Sequence, residues 1–119
     1  MSVPRPPQPA KLVVGFFLRQ QELAEALCER LETLFGPMDL VSRWLPFEFT
    51  DYYRREMGHP LFRRLIAFRG LIDQEALPDI KHQTNAVEAG FARDGQRRVN
   101  IDPGYLLLER FVLATGKNF

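Results

Sequence analysis

The chain has a single cysteine, Cys28, among its 119 residues, which excludes an intrachain disulfide and any cysteine-rich zinc site. It has no apolar run near the ~20 residues that a membrane-spanning helix needs. It also lacks charge of one sign. With 16 basic and 15 acidic side chains the formal net charge is +1, without the broad basic excess of a general nucleic-acid coat protein. Known catalytic signatures are missing as well. There is no glycine-rich phosphate loop closing on Lys-Ser/Thr, no Gly-x-Ser-x-Gly elbow and no His-Glu-x-x-His. His82-Gln83-Thr84 is one His-x-Thr where two-histidine phosphoesterases need two on strands, and it falls in a helical pattern.

What is present describes one small globular domain. The hydrophobic fraction is 45%, and the length suits a single core. Residues 1–10 hold Pro4, Pro6, Pro7 and Pro9 with no apolar stretch, so a flexible proline-rich lead-in is expected rather than a signal peptide. Residues 11–119 are then expected to form one domain, in a cytoplasmic protein. Arginine outnumbers lysine 13 to 3. A GC-rich coding sequence explains that bias, and so does recognition of phosphate or carboxylate by guanidinium forks. The pairs Arg54–Arg55, Arg63–Arg64 and Arg97–Arg98 are separated by acidic residues, so no basic stripe runs along the chain. Cys28 lies on the apolar side of a helical pattern and reads as an inert buried thiol.

The hydrophobic pattern gives the order of elements. Lys11–Phe17 is short, apolar and rich in β-formers, as in a central strand buried on both faces. Gln20–Phe35 is helical, with Leu23, Leu27, Leu31 and Leu34 at helical spacing and Gly36-Pro37 as the stop. Met38–Phe49 reads as a second strand, with Pro46 marking an edge or a bulge. Thr50–Gly58 suits one or two helical turns, and Leu61–Leu71 a third strand. Asp73–Arg93 is a second long helix whose regular part starts near Pro78. Arg97–Ile101 follows as a fourth strand after the Asp94-Gly95 turn. Asp102-Pro103-Gly104 can open a helix over Tyr105–Ala114, or turn into a further strand; the helix is favoured. The expected fold is therefore α+β, a ferredoxin-like β-α-β-β-α-β sandwich with a C-terminal helical or β extension. Many unrelated functions use that fold.

Two polar clusters could carry chemistry. Glu48, Asp51, Tyr52, Tyr53 and Glu56 gather where a strand gives way to a short helix. Asp51 and Glu56 could act as an acid/base pair or as hard-metal ligands, or could simply cap and solvate the helix. The second cluster is Arg97, Arg98, Asn100, Asp102 and Tyr105. Asn100 and Asp102 are two apart and so face the same way on a strand, where with the guanidiniums they could grip a phosphate, a sugar or a metal ion. The plainer reading is a helix cap and a turn. Trp44, Tyr52 and Tyr53 are close enough in sequence to form a base-stacking surface, or to be core.

Four segments carry a family resemblance: KLVVGFF, FEFTDYYRREMG, RGLIDQEALPDIKHQTN and RRVNIDPGYLLLERFVLATGKNF. Together they make Pro9–Phe119 resemble the domain of unknown function 4416 family. The resemblance implies a cytoplasmic protein of unassigned activity with no evident cofactor. The family continues past LATGKNF with further β-rich chain. The resemblance therefore implies an uncovered sheet edge or apolar patch here, and with it self-association. The favoured expectation for function is a binding module for a nucleotide or other phosphate-bearing ligand, using Asp51, Tyr52, Glu56, Arg98, Asn100, Asp102 and Tyr105. No metal site is expected, and no particular cofactor is indicated. The alternatives are a hydrolase or transferase using Asp51, Glu56 and Asp102, and an RNA-associated domain. If the TDYYRREMG and NIDPGY segments meet in one cleft, a single site is expected; if they lie on opposite faces, both are structural.

Overall fold

A computed structural model describes residues 9–47 and 51–107, and of Asp51 the backbone only. Among these residues five strands form one antiparallel sheet, with three α-helices. The strands are β1 (Pro9–Leu18), β2 (Met38–Val41), β3 (Leu45–Phe47), β4 (Leu61–Asp73) and β5 (Val99–Leu107). The helices are α1 (Ala24–Phe35), α2 (Asp51–Met57) and α3 (Leu77–Phe91). The strand order is β2-β4-β1-β5, with β3 also paired to β4. β2 sits opposite Ile66–Phe68 and β3 opposite Leu61–Arg63, so the two lie end to end along one side of β4.

β1 is central, paired to β4 on one side and β5 on the other, and its sequence explains why. Leu12, Val14, Phe16 and Leu18 all point to one face and are fully buried. They meet Leu27 and Leu31 of α1, Ile80 and Val87 of α3, Ile66 and Phe68 of β4, and Val99 and Ile101 of β5. At about 2 kcal/mol for each large side chain removed from water, this face supplies most of the driving force. Phe17 points the other way and starts a second, smaller cluster with Met57 of α2 and Leu61 of β4, flanked by Phe47 and Tyr53. Phe17 stacks on Phe47 with ring centroids 4.5 Å apart.

The long helices appear where the leucine and Ile80–Thr84–Val87 spacings place them, each preceded by a short 3-10 turn, Gln21–Leu23 and Gln74–Ala76. Gly36 closes α1 with φ +90°, a conformation that favours glycine. β1 begins at Pro9, within the expected lead-in. The expected single strand over Met38–Phe49 is instead two, broken at Ser42–Trp44, and Glu48 to Thr50 lie outside the described residues. At the break the Ser42 hydroxyl accepts from the Leu65 N–H at 2.9 Å, where a strand would have offered a carbonyl.

The expected helix from Tyr105 is corrected. β5 runs straight through Asp102-Pro103-Gly104 to Leu107, in register with β1 (Asp102 opposite Gly15, Tyr105 opposite Leu12). Residues 108–119 lie outside the described ones. Strand geometry tolerates Pro103 because of which edge it occupies. The Ile101 N–H points outward to a Glu88 carboxylate oxygen at 2.6 Å, and the Ile101 carbonyl accepts from Lys81 Nζ at 3.0 Å. Backbone groups alternate along a strand, so the nitrogen of Pro103, two residues on, also faces outward, where no ladder bond is lost. Lys81 and Glu88 are seven apart on α3 and together cover this part of the sheet edge.

Candidate functional site

The two polar clusters are joined through Glu56 and Arg97, although no residue of NIDPGY borders the cleft that Glu56 lines. α2 lies against Phe17 on the sheet face that α1 and α3 leave free, and this brings Glu56 to the chain entering β5. The Glu56 carboxylate accepts from the Arg97 backbone N–H at 2.8 Å, from Arg97 Nη2 at 2.9 Å and from Nε at 3.2 Å. The guanidinium then donates from Nη1 to Asn100 Oδ1 at 2.7 Å, and Asn100 Nδ2 donates to Asp102 Oδ2 at 2.9 Å. Lys81 Nζ stands 3.8 Å from the other Asp102 oxygen. Glu56, Arg97, Asn100 and Asp102 thus form one hydrogen-bonded chain. Asn100 is buried at its middle, where each end of its amide has a partner.

The electrostatics follow from the contacts. The Arg97 side-chain hydrogen bonds, then its backbone N–H, hold the Glu56 carboxyl below the usual glutamate range. Glu56 in turn raises Arg97 above the usual arginine value, despite an opposing effect of burial. Both shifts describe a fixed ion pair. Glu56 is ionised at neutral pH and is not poised to exchange a proton.

Beside this pair lies a polar cleft of about 200 Å³. Four arginines border it, Arg19, Arg93, Arg97 and Arg98, against two carboxylates, Glu56 and Asp94. They come from three places: Arg19 follows β1, Arg93 follows α3, and Arg97 and Arg98 precede β5. A tight turn, with Arg93 and Gln96 exchanging backbone hydrogen bonds at 2.9 and 3.0 Å, sets Arg93 at the rim. Arg98 donates from Nε to the Phe91 carbonyl at 2.7 Å, tying the end of α3 to the cleft. Arg97 is committed to Glu56, whereas Arg19 and Arg93 have no ion pair among the described residues. At Gly58, with φ +87°, a Cβ would stand 2.8 Å from Arg19 Cδ, so this glycine leaves room for the arginine.

Of the residues expected at a site, Glu56, Asn100 and Asp102 are joined in the chain and Arg98 borders the cleft. Asp51 opens α2, with its side chain outside the described set. Tyr52 is 78% exposed and touches Tyr53, with ring centroids 4.9 Å apart. Tyr105 lies farther along β5, with its hydroxyl 3.5 Å from Gln74 Oε1. The three aromatics do not form one stacking surface. Edge-on packing places Trp44 against Phe16 and Phe62, under the Arg64 guanidinium at 3.9 Å, whereas Tyr53 packs on Phe17. Arg19 and Arg93 were not among the expected residues. Arg19 shares the parity of Phe17, and Arg93 immediately precedes the Asp94-Gly95 turn, but neither position signals on its own that the two converge. Among the described residues no three His, Cys, Asp or Glu side chains gather as a metal site would require. No helix among them is long and apolar enough to cross a membrane.

These observations define a mixed α/β protein with an antiparallel five-stranded sheet and an arginine-bordered cleft at one end of its free face. The chain belongs to the family described as Domain of unknown function (DUF4416), whose model matches residues 8–119. No curated protein and no solved structure matches it.

Proposed function

We propose that the protein is a binding module for a small phosphate-bearing ligand, whose phosphate lies in the cleft bordered by Arg19, Arg93, Arg97 and Arg98. The observation that carries this reading is the excess of guanidinium there, two of the four, Arg19 and Arg93, having neither an ion pair nor a side-chain hydrogen bond among the described residues. Guanidinium forks match phosphate oxygens two at a time, and the cleft volume of about 200 Å³ suits a phosphoryl group rather than a whole cofactor. Glu56 keeps Arg97 in place without neutralising the other three. The hydrolase or transferase alternative is weaker on this geometry, because the Glu56 carboxylate is already taken up by hydrogen bonds from Arg97. The RNA alternative loses its shared aromatic surface.

Three finer expectations belong to the same proposal. Counting β2 and β3 as one broken edge strand, the order β2-β4-β1-β5 supports a ferredoxin-like arrangement with an extra interruption. The lone cysteine suits a cytoplasmic setting. The apolar side chains exposed on the free sheet face, Leu40, Leu65, Leu71 and Leu106, support self-association, which light scattering across a concentration series would reveal.

A thermal-shift panel of inorganic phosphate, pyrophosphate, nucleotides, divalent metal chlorides and a short RNA tests the function. A ligand that binds only the folded state raises the melting temperature. Stabilisation by pyrophosphate and nucleotides is expected, weakening with salt as exposed charges are screened and lost in Arg19→Gln/Arg93→Gln. No shift from any phosphate-bearing compound would sink the proposal.

A further inference from the structure

The free face of the sheet holds a second recess, separate from the arginine cleft. Its volume is about 530 Å³, and it is floored by β1 and β5 where Gly15 and Gly104 leave the backbone bare. Val13, Gly15 and Phe17 share this face by strand alternation, and Gly15 stands opposite Leu65 on one side and Asp102 on the other. Leu65 leans over the gap, since a Cβ on Gly15 would meet its Cδ2 at 3.2 Å. The lining is mostly apolar, Val13, Leu65 and Leu106 with Phe17 and Tyr105, and carries charge only at two positions on either side of β1: Arg63 on β4 and Asp102 on β5.

Those two positions decide the class of ligand. Arg63 offers only donors, and its Nε is buried with no hydrogen-bond partner. Asp102 offers only acceptors. Its side chain is 66% exposed, and beyond its bond from Asn100 it has only the long contact to Lys81. β1 lies between their strands, and the register sets Arg63 opposite Phe17 but Asp102 opposite Gly15, so their backbones are roughly 12 Å apart at ~4.8 Å per strand and ~3.4 Å per residue. A fatty acid could satisfy Arg63 but would lay hydrocarbon against Asp102, and an alkylamine would do the reverse. An α-amino acid carries its two charges too close together to reach both. A flat ring fits: its faces lie on the glycine floor and the leucines, one edge accepts from Arg63, and the opposite edge donates to Asp102.

We propose that this trough binds a nucleobase-type heteroaromatic ring between Arg63 and Asp102, over Gly15 and Gly104. The inference stands apart from the arginine cleft, because a nucleoside carries no phosphate. The test is an NMR titration with adenosine, guanosine, cytidine and uridine, and with indole as a ring lacking the acceptor edge. Saturable shifts of the Gly15 and Gly104 amides are expected with at least one nucleoside, and binding at least tenfold weaker with indole. Gly104→Leu fills the trough at a position where a Cβ meets nothing closer than 3.9 Å, and should weaken nucleoside binding tenfold or more while the pyrophosphate response stays unchanged. Asp102→Asn, nearly the same shape, should weaken it comparably and serves if Gly104→Leu fails to fold. No saturable shift from any nucleoside, indole binding as tightly as the nucleosides, or unchanged affinity in the folded variants would overturn the proposal.

Discussion

The two faces of the sheet are built from the same strands, yet they do different things. One face is closed by α1 and α3 over a continuous apolar layer in which Leu12, Val14, Phe16 and Leu18 of β1 are fully buried. The other is covered by described residues only around Phe17, where α2 packs; beyond that it exposes leucines and the bare backbone of two glycines. The alternation of a strand makes this division possible, because each residue of β1 serves one face or the other. The closed face holds the fold, and the open face carries the trough and the hydrogen-bonded chain from Glu56 to Asp102. Stability and binding can therefore be perturbed separately.

The largest expected contrast is between core and trough. Phe16→Ala on the closed face should lower unfolding free energy by about 3–5 kcal/mol, and Leu106→Ala on the open face by no more than about 0.5 kcal/mol. Denaturant melts would check both. Comparable losses would mean that the open face is covered in solution.

Next in size is the ion pair that fastens α2 beside the cleft. Arg97→Ala removes hydrogen bonds to a carboxylate that is about a third exposed, and a loss of about 1–2 kcal/mol is expected in the same melts. Its pH dependence has a definite sign. The folded-state pKa of Glu56 is depressed, so its contribution is fully present above the ordinary glutamate value of ~4.3 and disappears as pH falls through the lower folded value. Glu56→Gln should flatten that acid limb of the stability curve, and an unchanged limb would count against the pairing.

A smaller effect separates two glycines. Gly58→Ala forces a side chain into φ +87° and against Arg19, with an expected cost of about 1 kcal/mol or more, whereas Gly104→Ala should be close to neutral. The smallest concerns Cys28, where burial pushes the thiol pKa up although Arg64 opposes it. Alkylation at pH 8 should be several-fold slower than for a free thiol, and should reach the free rate on unfolding.

The parts that could be read from sequence were those with a strong period or a strong stop. Leu23, Leu27 and Leu31, with Gly36 behind them, define α1 without tertiary help, and KLVVGFF is too apolar to be anything but interior. Asp102-Pro103-Gly104 misleads for the opposite reason. Its local chemistry suits a helix start, but pairing with β1 and the outward-facing edge at Pro103 override it. The break at Ser42–Trp44 rests on a single hydroxyl reaching the Leu65 N–H, which no period announces. At the site, Asn100 and Asp102 could be matched because they are two apart on one strand. Arg19 and Arg93 are 74 residues apart in sequence, and only the packing of the strand ends brings both to one cleft.

The most direct measurement of the difference between the faces follows the arginine Nε–Hε signals by NMR during a pyrophosphate titration. Saturable shifts are expected for Arg19 and Arg93, smaller ones for Arg97 and Arg98, and none for Arg64, which is held over Trp44 toward the closed face. Uniform small shifts across all arginines, or none at Arg19 and Arg93, would contradict this.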